Sequence, residues 1–419
     1  MESITPAATP SSPARLLEGP FVFFVGGRII STLSSQIKTV AIGWQVYSLN
    51  NSALDLGLVG LVQFSTAIAL GLGAGAMLDR TDRRRIWTLC QIIKLICYLG
   101  LLAMTAWGVA SLPLILLAVG GIGAAQGLEL PASQSLLALV VERAILPRAI
   151  ATQSSLMEAA TIAGPAIGGL LVAIDQRLAY GLISLAMIAT ILGGLNMKLK
   201  IAQTMDTSTE SGLTRILGGL TFLRSRPPIW GAITLDMAAV LLGGVTSLLP
   251  VFAHDILHVG PDGLGLLRTS MSVGALASAA ILARWPITRH GGAFMFGAVF
   301  AFGIVTILFS LSVEFWWSCA LMGLLGVADE ISVFTRSTLV QLSTPDDVRG
   351  RVAAVNSIFI TTSNQLGEFE SGVTAALLGV VPAAVIGGIG TIIVAGLWAY
   401  WFPSLRRVDD LTKGVEAHI

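Results

Sequence analysis

Charge is scarce in this chain. Asp, Glu, Lys and Arg make up 12% of its 419 residues, against roughly 25% in a soluble globular protein. With 54% hydrophobic residues and a mean hydropathy of +0.82, that shortage excludes an ordinary soluble enzyme and indicates a polytopic membrane protein. Cysteine is nearly absent. Cys90, Cys97 and Cys319 all lie in apolar runs, and an odd number so placed speaks against a disulfide framework or a metal site. The net charge of +1 leaves no electrostatic footprint for nucleic acid. No Walker sequence, nucleophile elbow or phosphate-binding loop occurs, so neither an enzyme nor a cofactor is expected. His254 and His258 stand four apart, as in a helical zinc pair, but Asp255 replaces the usual Glu and the stretch closes a membrane span. No metal role is expected there. Residues 1–20, rich in Pro and Ser, lack the basic start and short apolar core of a signal peptide. The first span is therefore expected to direct insertion.

What the chain does have is long apolar runs. A helix needs about 20 apolar residues to cross a bilayer. On that measure twelve spans are expected, at about 21–48, 56–78, 86–108, 112–141, 149–174, 178–198, 228–253, 263–285, 292–312, 315–343, 348–377 and 382–402. Backbone groups in lipid must be satisfied within the segment, so the expected class is all-α. Nineteen of the 25 basic residues fall in termini and loops of one side if both termini are cytoplasmic, and only Arg177 falls on the other. The positive-inside rule selects that topology.

The chain divides at its middle. Residues 1–20 are expected to form a cytoplasmic tail, 21–198 one six-helix half, 199–227 a cytoplasmic linker, 228–402 the second half and 403–419 a second tail. Within the linker, Gln203–Gly212 reads as flexible and Leu213–Leu223 as a helix on the membrane surface. The halves repeat. Pro147-Arg148-Ala-Ile-Ala151-Thr-Gln153-Ser154 matches Gly350-Arg351-Val-Ala-Ala354-Val-Asn356-Ser357 at an offset of 203, and Asp55-Leu-Gly57 echoes Asp262-Gly-Leu-Gly265. Parallel six-helix repeats of this kind place a substrate near the midplane between them.

The densest charge cluster is Gly75-Ala-Met-Leu-Asp79-Arg80-Thr-Asp82-Arg83-Arg84-Arg85. As a bare basic cluster it would only orient the chain. Its order, G-x-x-x-D-R-x-x-R-R, resembles the signature between the second and third helices of the major facilitator superfamily of transporters. The resemblance implies a cytoplasmic gate built on Gly75, Asp79, Arg80, Arg83 and Arg84. Gly164-Pro165-Ala-Ile-Gly168-Gly169 resembles the G-P-x-x-G-G signature of facilitator exporters, where Gly and Pro permit close packing and a bend. Gly120-Gly-Ile-Gly123-Ala-Ala-Gln126-Gly127 resembles the fourth-helix motif of drug and sugar facilitators, but Gly123 stands where that motif has an Arg often assigned to proton coupling. Trp44-Gln-Val-Tyr47, Gly57-Leu-Val-Gly60 and Asn364-Gln-Leu-Gly367-Glu368-Phe-Glu370-Ser371-Gly372 resemble bacterial exporters of the enterobactin-exporter type. Drug exporters and lysophospholipid transporters share much of this pattern.

Ionisable residues within spans are the expected functional groups, because they are costly in hydrocarbon and face the bundle interior or water. In the first span, Ser31, Thr32, Ser35, Gln36, Lys38 and Thr39 share a helical face with Arg28. This stripe reads as a cavity wall, with polar interhelical packing as the alternative. Lys94, two turns from the gate signature, can snorkel to the interface, and so can Arg268. The expected substrate-binding residues are Arg28, Thr32, Ser35, Lys38, Gln126, Glu129, Asn356 and Asn364. The expected proton carriers are drawn from Glu158, Asp236, Asp329, Glu330, Glu368 and Glu370, since burial favours the neutral carboxyl that a carrier must populate; a structural ion pair is the alternative for each. Arg336 lies seven residues beyond Asp329 and is not expected to pair with it.

The sequence as a whole is thus expected to encode a monomeric, multi-pass transporter of a bacterial cytoplasmic membrane. Its expected partners are a small-molecule substrate, protons and the lipid bilayer. Its expected activity is proton-coupled export of a small, largely anionic amphipathic compound such as a siderophore, with a broad drug exporter or a lysophospholipid transporter as the alternative.

Overall fold

The computed structural model describes residues 20–141, 146–197, 212–345 and 348–409, with the side chains of 72–80 and of several other helical positions outside that set. Six long helices come first: α1 (Pro20–Asn50), α2 (Ala53–Arg80), α3 (Arg83–Ala106), α4 (Leu112–Val140), α5 (Leu146–Ile174) and α6 (Gln176–Asn196). A short helix α7 (Gly212–Arg224) follows. Then come α8 (Pro227–Leu242), a 3-10 turn (Val245–Leu248), α9 (Leu249–Val251), a π turn (Phe252–Ile256), α10 (Pro261–Arg284), α11 (Gly291–Ser310), α12 (Phe315–Leu342), α13 (Arg349–Leu378), α14 (Val380–Trp401) and α15 (Pro403–Arg406). Side-chain caps set several starts. Asp82 accepts from the Arg84 amide at 2.9 Å, Asp175 from the Arg177 amide at 2.8 Å, and Glu314 from the Trp317 amide at 2.7 Å.

Among the described residues, ten helical stretches are long and apolar enough to cross a membrane. The remaining long helices, α1 and α13, carry most of the polar candidates and pack along α5 and α6, and along α2 and α8. The seventh span, expected over 228–253, is present over Pro227–Ile256 but is not one continuous α-helix: α8 stops at Gly243-Gly244, and the chain continues through 3-10, α and π turns. The Gly pair allows the break because α13 lies directly against it: a Cβ on Gly244 would come within 2.5 Å of Ser371 Oγ and 2.9 Å of Gly367 O.

The two sets of helices meet at two matched crossings. Gly57 on α2 lies against Gly372 on α13, where a Cβ on Gly372 would come within 2.8 Å of Gly57 Cα. Gly169 on α5 lies against Gly265 on α10, where a Cβ on Gly265 would come within 2.5 Å of Pro165 O. The sequence offset of 203 also relates Gly169 to Gly372, and Gly57 and Gly265 are the glycines of the echoed Asp-x-Gly and Asp-x-x-Gly stretches. The internal repeat thus builds the same crossing twice. Near these crossings one apolar core draws on both halves, including Val40, Tyr180, Val245, Leu264 and Phe309. At the opposite end the halves have separate cores. One centres on Phe24, Trp87 and Leu136, the other on Ile233, Met295 and Leu339. The halves pack together at the end of the α1–α2 turn and keep separate cores at the end that carries Arg83–Arg85 and Arg284.

Candidate functional site

In the first half, α1, α3 and α4 converge on Glu129, which is 5% exposed. Lys94 forms a buried ion pair with it, and Arg28 lies 3.6 Å away. Gln91 Nε2 donates to Glu129 at 3.0 Å and Ser31 Oγ at 3.2 Å, while Lys94 Nζ also donates to Ser31 Oγ at 3.1 Å. Lys94 therefore does not snorkel; the nearby carboxylate holds it inside at 3% exposure. Two cations face one anion, so the cluster carries a net positive charge. Arg28 is the more open cation. It touches Met157 Sδ at 3.7 Å, and its buried Nε has no partner among the described residues.

A second cluster lies between the halves, on the closed side. Lys38 donates to Gln63 Oε1 at 3.0 Å, and Gln63 Nε2 donates to Gln126 Oε1 at 3.0 Å. This chain ties α1, α2 and α4 together. Lys38, Gln63, Ser247, Arg268 and Glu368 line a cavity of about 80 Å³. Arg268 points into it and donates to Thr246 O at 3.2 Å, so the expected snorkelling does not occur. Glu368 sits against Gly60 of α2, which has no side chain to displace it.

The second half has its own buried pair. Arg336 faces Asp236 at 3.4 Å and donates to Asn356 Oδ1 at 3.0 Å. Asp329 shares a small cavity with Asp236. Glu370 stands apart and accepts from Thr374 Oγ1 at 2.8 Å. Glu158 on α5 and Asn364 on α13 are exposed although both sit in membrane-length helices, and Thr32 and Ser35 are half-buried. Exposed polar groups at such depth are tolerated where they line water.

The gate signature divides in two. The helix carrying Gly75, Asp79 and Arg80 is described, but the Asp79 and Arg80 side chains lie outside the described residues. Arg84 donates to Met197 O at 2.7 Å, tying the start of α3 to the end of α6, where a cation meets the carbonyl end of the helix dipole. Arg83 is half-buried beside it. In the Gly-Pro stretch, Gly164 and Gly168 seat α5 on Gln36 and Ile37 of α1, while Pro165 and Gly169 seat it on α10.

Residues 11–418 match the model of a family described as transmembrane secretion effector. This chain belongs to that family of major facilitator transporters. Curated relatives include the multidrug efflux pump Tap of Mycolicibacterium fortuitum, 24% identical over 94% of this chain and 98% of Tap. The enterobactin exporter EntS of Citrobacter koseri is 26% identical over 91% of each chain. Among solved structures, a bacterial homologue of the human lysosomal transporter Spinster, inward-facing and occupied, superposes with a TM-score of 0.72 at 14% identity, covering 93% of this chain and 97% of that one. A bacterial homologue of ferroportin in the inward-facing state gives 0.71 at 15%, covering 95% and 100%. These likenesses establish the fold. The chain is a multi-pass membrane transporter and not an enzyme.

The structure explains the departure from the family pattern at Gly123. A Cβ on Gly123 would collide with Gln63 O and Thr66 Oγ1, because α2 presses on α4 there. No arginine fits at that position. Several site residues escaped sequence reasoning. Gln63 and Gln91 are single amides in apolar runs, and their spacing to Lys94 or Lys38 across helices is not a sequence property. An amide in a membrane helix was the available signal.

Proposed function

We propose that this protein is a secondary active exporter of the bacterial cytoplasmic membrane that binds a small, anionic amphipathic compound, such as a siderophore, and moves it by cation-coupled alternating access. The carrying observation is the buried cluster in which Arg28 and Lys94 outnumber Glu129. An uncompensated cation inside a membrane protein needs water, a partner or an anionic ligand. Arg28, the more exposed of the two cations, is the group positioned to meet one; Thr32 and Ser35 continue the same face. Lys38 and Arg268 beside Glu368 add a second cationic site deeper between the halves. The end with separate cores carries the basic loops, which supports an inward-facing arrangement with both termini cytoplasmic. In transport the halves 21–198 and 228–402 rock about the central site, with protons as the expected coupling ion. The Gly57–Gly372 and Gly169–Gly265 crossings part to open the outer side, and the Asp79–Arg80–Arg83 signature closes the inner one.

Binding tests this reading. Titration of a catecholate siderophore against purified protein, read by tryptophan fluorescence, is expected to weaken about tenfold in Arg28→Met, a loss of ~1.4 kcal/mol. Glu129→Gln, which removes the competing anion, is expected to tighten it. Tightened binding of a lipophilic cation and no siderophore binding would sink the proposal. That outcome is the second reading, a drug exporter. Glu158, exposed on α5, favours it, because together with Glu330 on α12 it brings acids from both halves near one another.

A further inference from the structure

Helices α11 and α12 leave a groove of about 510 Å³ between them, within the size range of small-molecule sites. Phe294 on one wall and Leu324 on the other are half exposed in helices of membrane length, so the groove opens toward lipid. Small residues create it. Ala293, Gly297 and Ala301 stand four apart on α11, one helical row, and all line the groove. Such a row normally seats a second helix. Here a Cβ on Gly297 would meet nothing within 4 Å. From His290 to Val305 the row runs about 22 Å at 1.5 Å per residue, longer than one leaflet's half of a hydrocarbon core about 30 Å thick. His290, at the start of α11, is the one polar side chain among the lining residues. The end it marks is basic. Arg289 precedes it, Arg284 closes α10, and all three are exposed. The chain after α14 brings two more exposed arginines, Arg406 and Arg407, to the same end, where Gly292 N donates to Val408 O at 3.0 Å. The acid facing this end, Asp409, accepts from the His290 amide at 2.9 Å. Four arginines against that acid leave the surface positive. Trp285 and Trp401, exposed at the adjoining ends of α10 and α14, mark headgroup depth.

We propose that the α11–α12 groove is a binding site for one anionic phospholipid of the cytoplasmic leaflet. An acyl chain lies along the Ala293–Gly297–Ala301 row, and the headgroup phosphate sits among Arg289, His290 and the arginines that flank them. Basic recesses between membrane helices on the cytoplasmic side suit anionic headgroups. The charge also argues against a second copy of this chain as the occupant, since its own positive surface offers no complement to these arginines. The site does not depend on which compound the protein carries. It does touch the interior. Ala298 and Ala328 line this groove and also the small cavity that holds Asp236 and Asp329. A chain in the groove therefore lies one layer of alanines from those buried acids and covers that wall on the lipid side.

Photo-crosslinking to the full-length protein in detergent tests this without any transport step. Phosphatidylglycerol and phosphatidylcholine carrying the same diazirine-labelled acyl chain are irradiated with the protein, and adducts are mapped by peptide mass spectrometry. Phosphatidylglycerol is expected to label the peptides around Gly297 and Val327 about fivefold more than phosphatidylcholine for each arginine it engages. Gly297→Leu, which fills the groove, is expected to remove that labelling. Gly396→Leu on α14, at an exposed glycine that also has open space beside it, leaves it unchanged. Arg289→Gln combined with Arg406→Gln brings phosphatidylglycerol down to the phosphatidylcholine level. Inorganic phosphate does not compete, whereas unlabelled phosphatidylglycerol does. The site is overturned if the two lipids label equally, if Gly297→Leu leaves the labelling intact, or if crosslinks between copies of the chain replace the lipid adducts at α11. Should Gly297→Leu not fold, the arginine pair at exposed positions carries the test, and an unchanged lipid preference there overturns the proposal.

Discussion

Glu129 shows how much one residue's surroundings decide. Its partners Lys94 and Arg28 are both basic, yet they should respond differently to removal. Lys94 is 3% exposed and locked between Glu129 and Ser31. Removing one member of a buried pair costs about 3–5 kcal/mol because the other charge stays buried. Lys94→Met is therefore expected to lower the thermal midpoint of the purified protein strongly. Arg28 lies farther from Glu129 and is more open, so Arg28→Met should nearly preserve the midpoint while weakening substrate binding. Equal destabilisation by both would make Arg28 structural. Gly123 supplies a second residue-scale test. Restoring the arginine of the family motif, Gly123→Arg, would drive a side chain into the α2 backbone. The expected outcome is loss of folded protein on size-exclusion chromatography; a well-folded variant would show that α2 and α4 can part.

At the scale of elements, the four crossing glycines make paired predictions. Gly57→Val and Gly169→Val should act alike, because each puts a branched side chain into one of two equivalent helix crossings. Spin labels at Asn51 and Gly379, in the turns on either side of the closed end, should move apart in both variants relative to wild type. An unchanged distance in either would show that its crossing does not hold the end shut. The helices themselves were readable, since apolar length and scarce charge set their positions within a few residues. The break in the seventh stretch was not. Tolerance of a break at Gly243-Gly244 depends on what packs beside it, here the α13 backbone at Gly367. The same limit hid Lys94. Its place two turns from the gate signature suggested snorkelling, and nothing in α3 alone shows that Glu129 of α4 lies opposite. Arg28 and Lys38 were legible for the contrary reason, that a polar stripe on one apolar helix needs no knowledge of neighbours.

At the scale of the whole molecule, the internal repeat is the organising feature. It was visible as an offset of 203 in one short match, and the structure extends it to the glycines at the crossings. One shared core at one end and two separate cores at the other follow from those crossings. The orientation drawn from Lys and Arg predicts that a fluorescent protein fused to either terminus will glow, since that reporter folds on the cytoplasmic side; a dark fusion at both ends would reverse the topology. The central claim, export of an anionic amphiphile, is tested most directly by uptake into inverted membrane vesicles under an imposed pH or Na⁺ gradient. A catecholate siderophore and a lipophilic cationic dye are supplied side by side. The account predicts gradient-dependent siderophore accumulation that Arg28→Met abolishes. Dye accumulation alone, or siderophore accumulation indifferent to Arg28→Met, would contradict it.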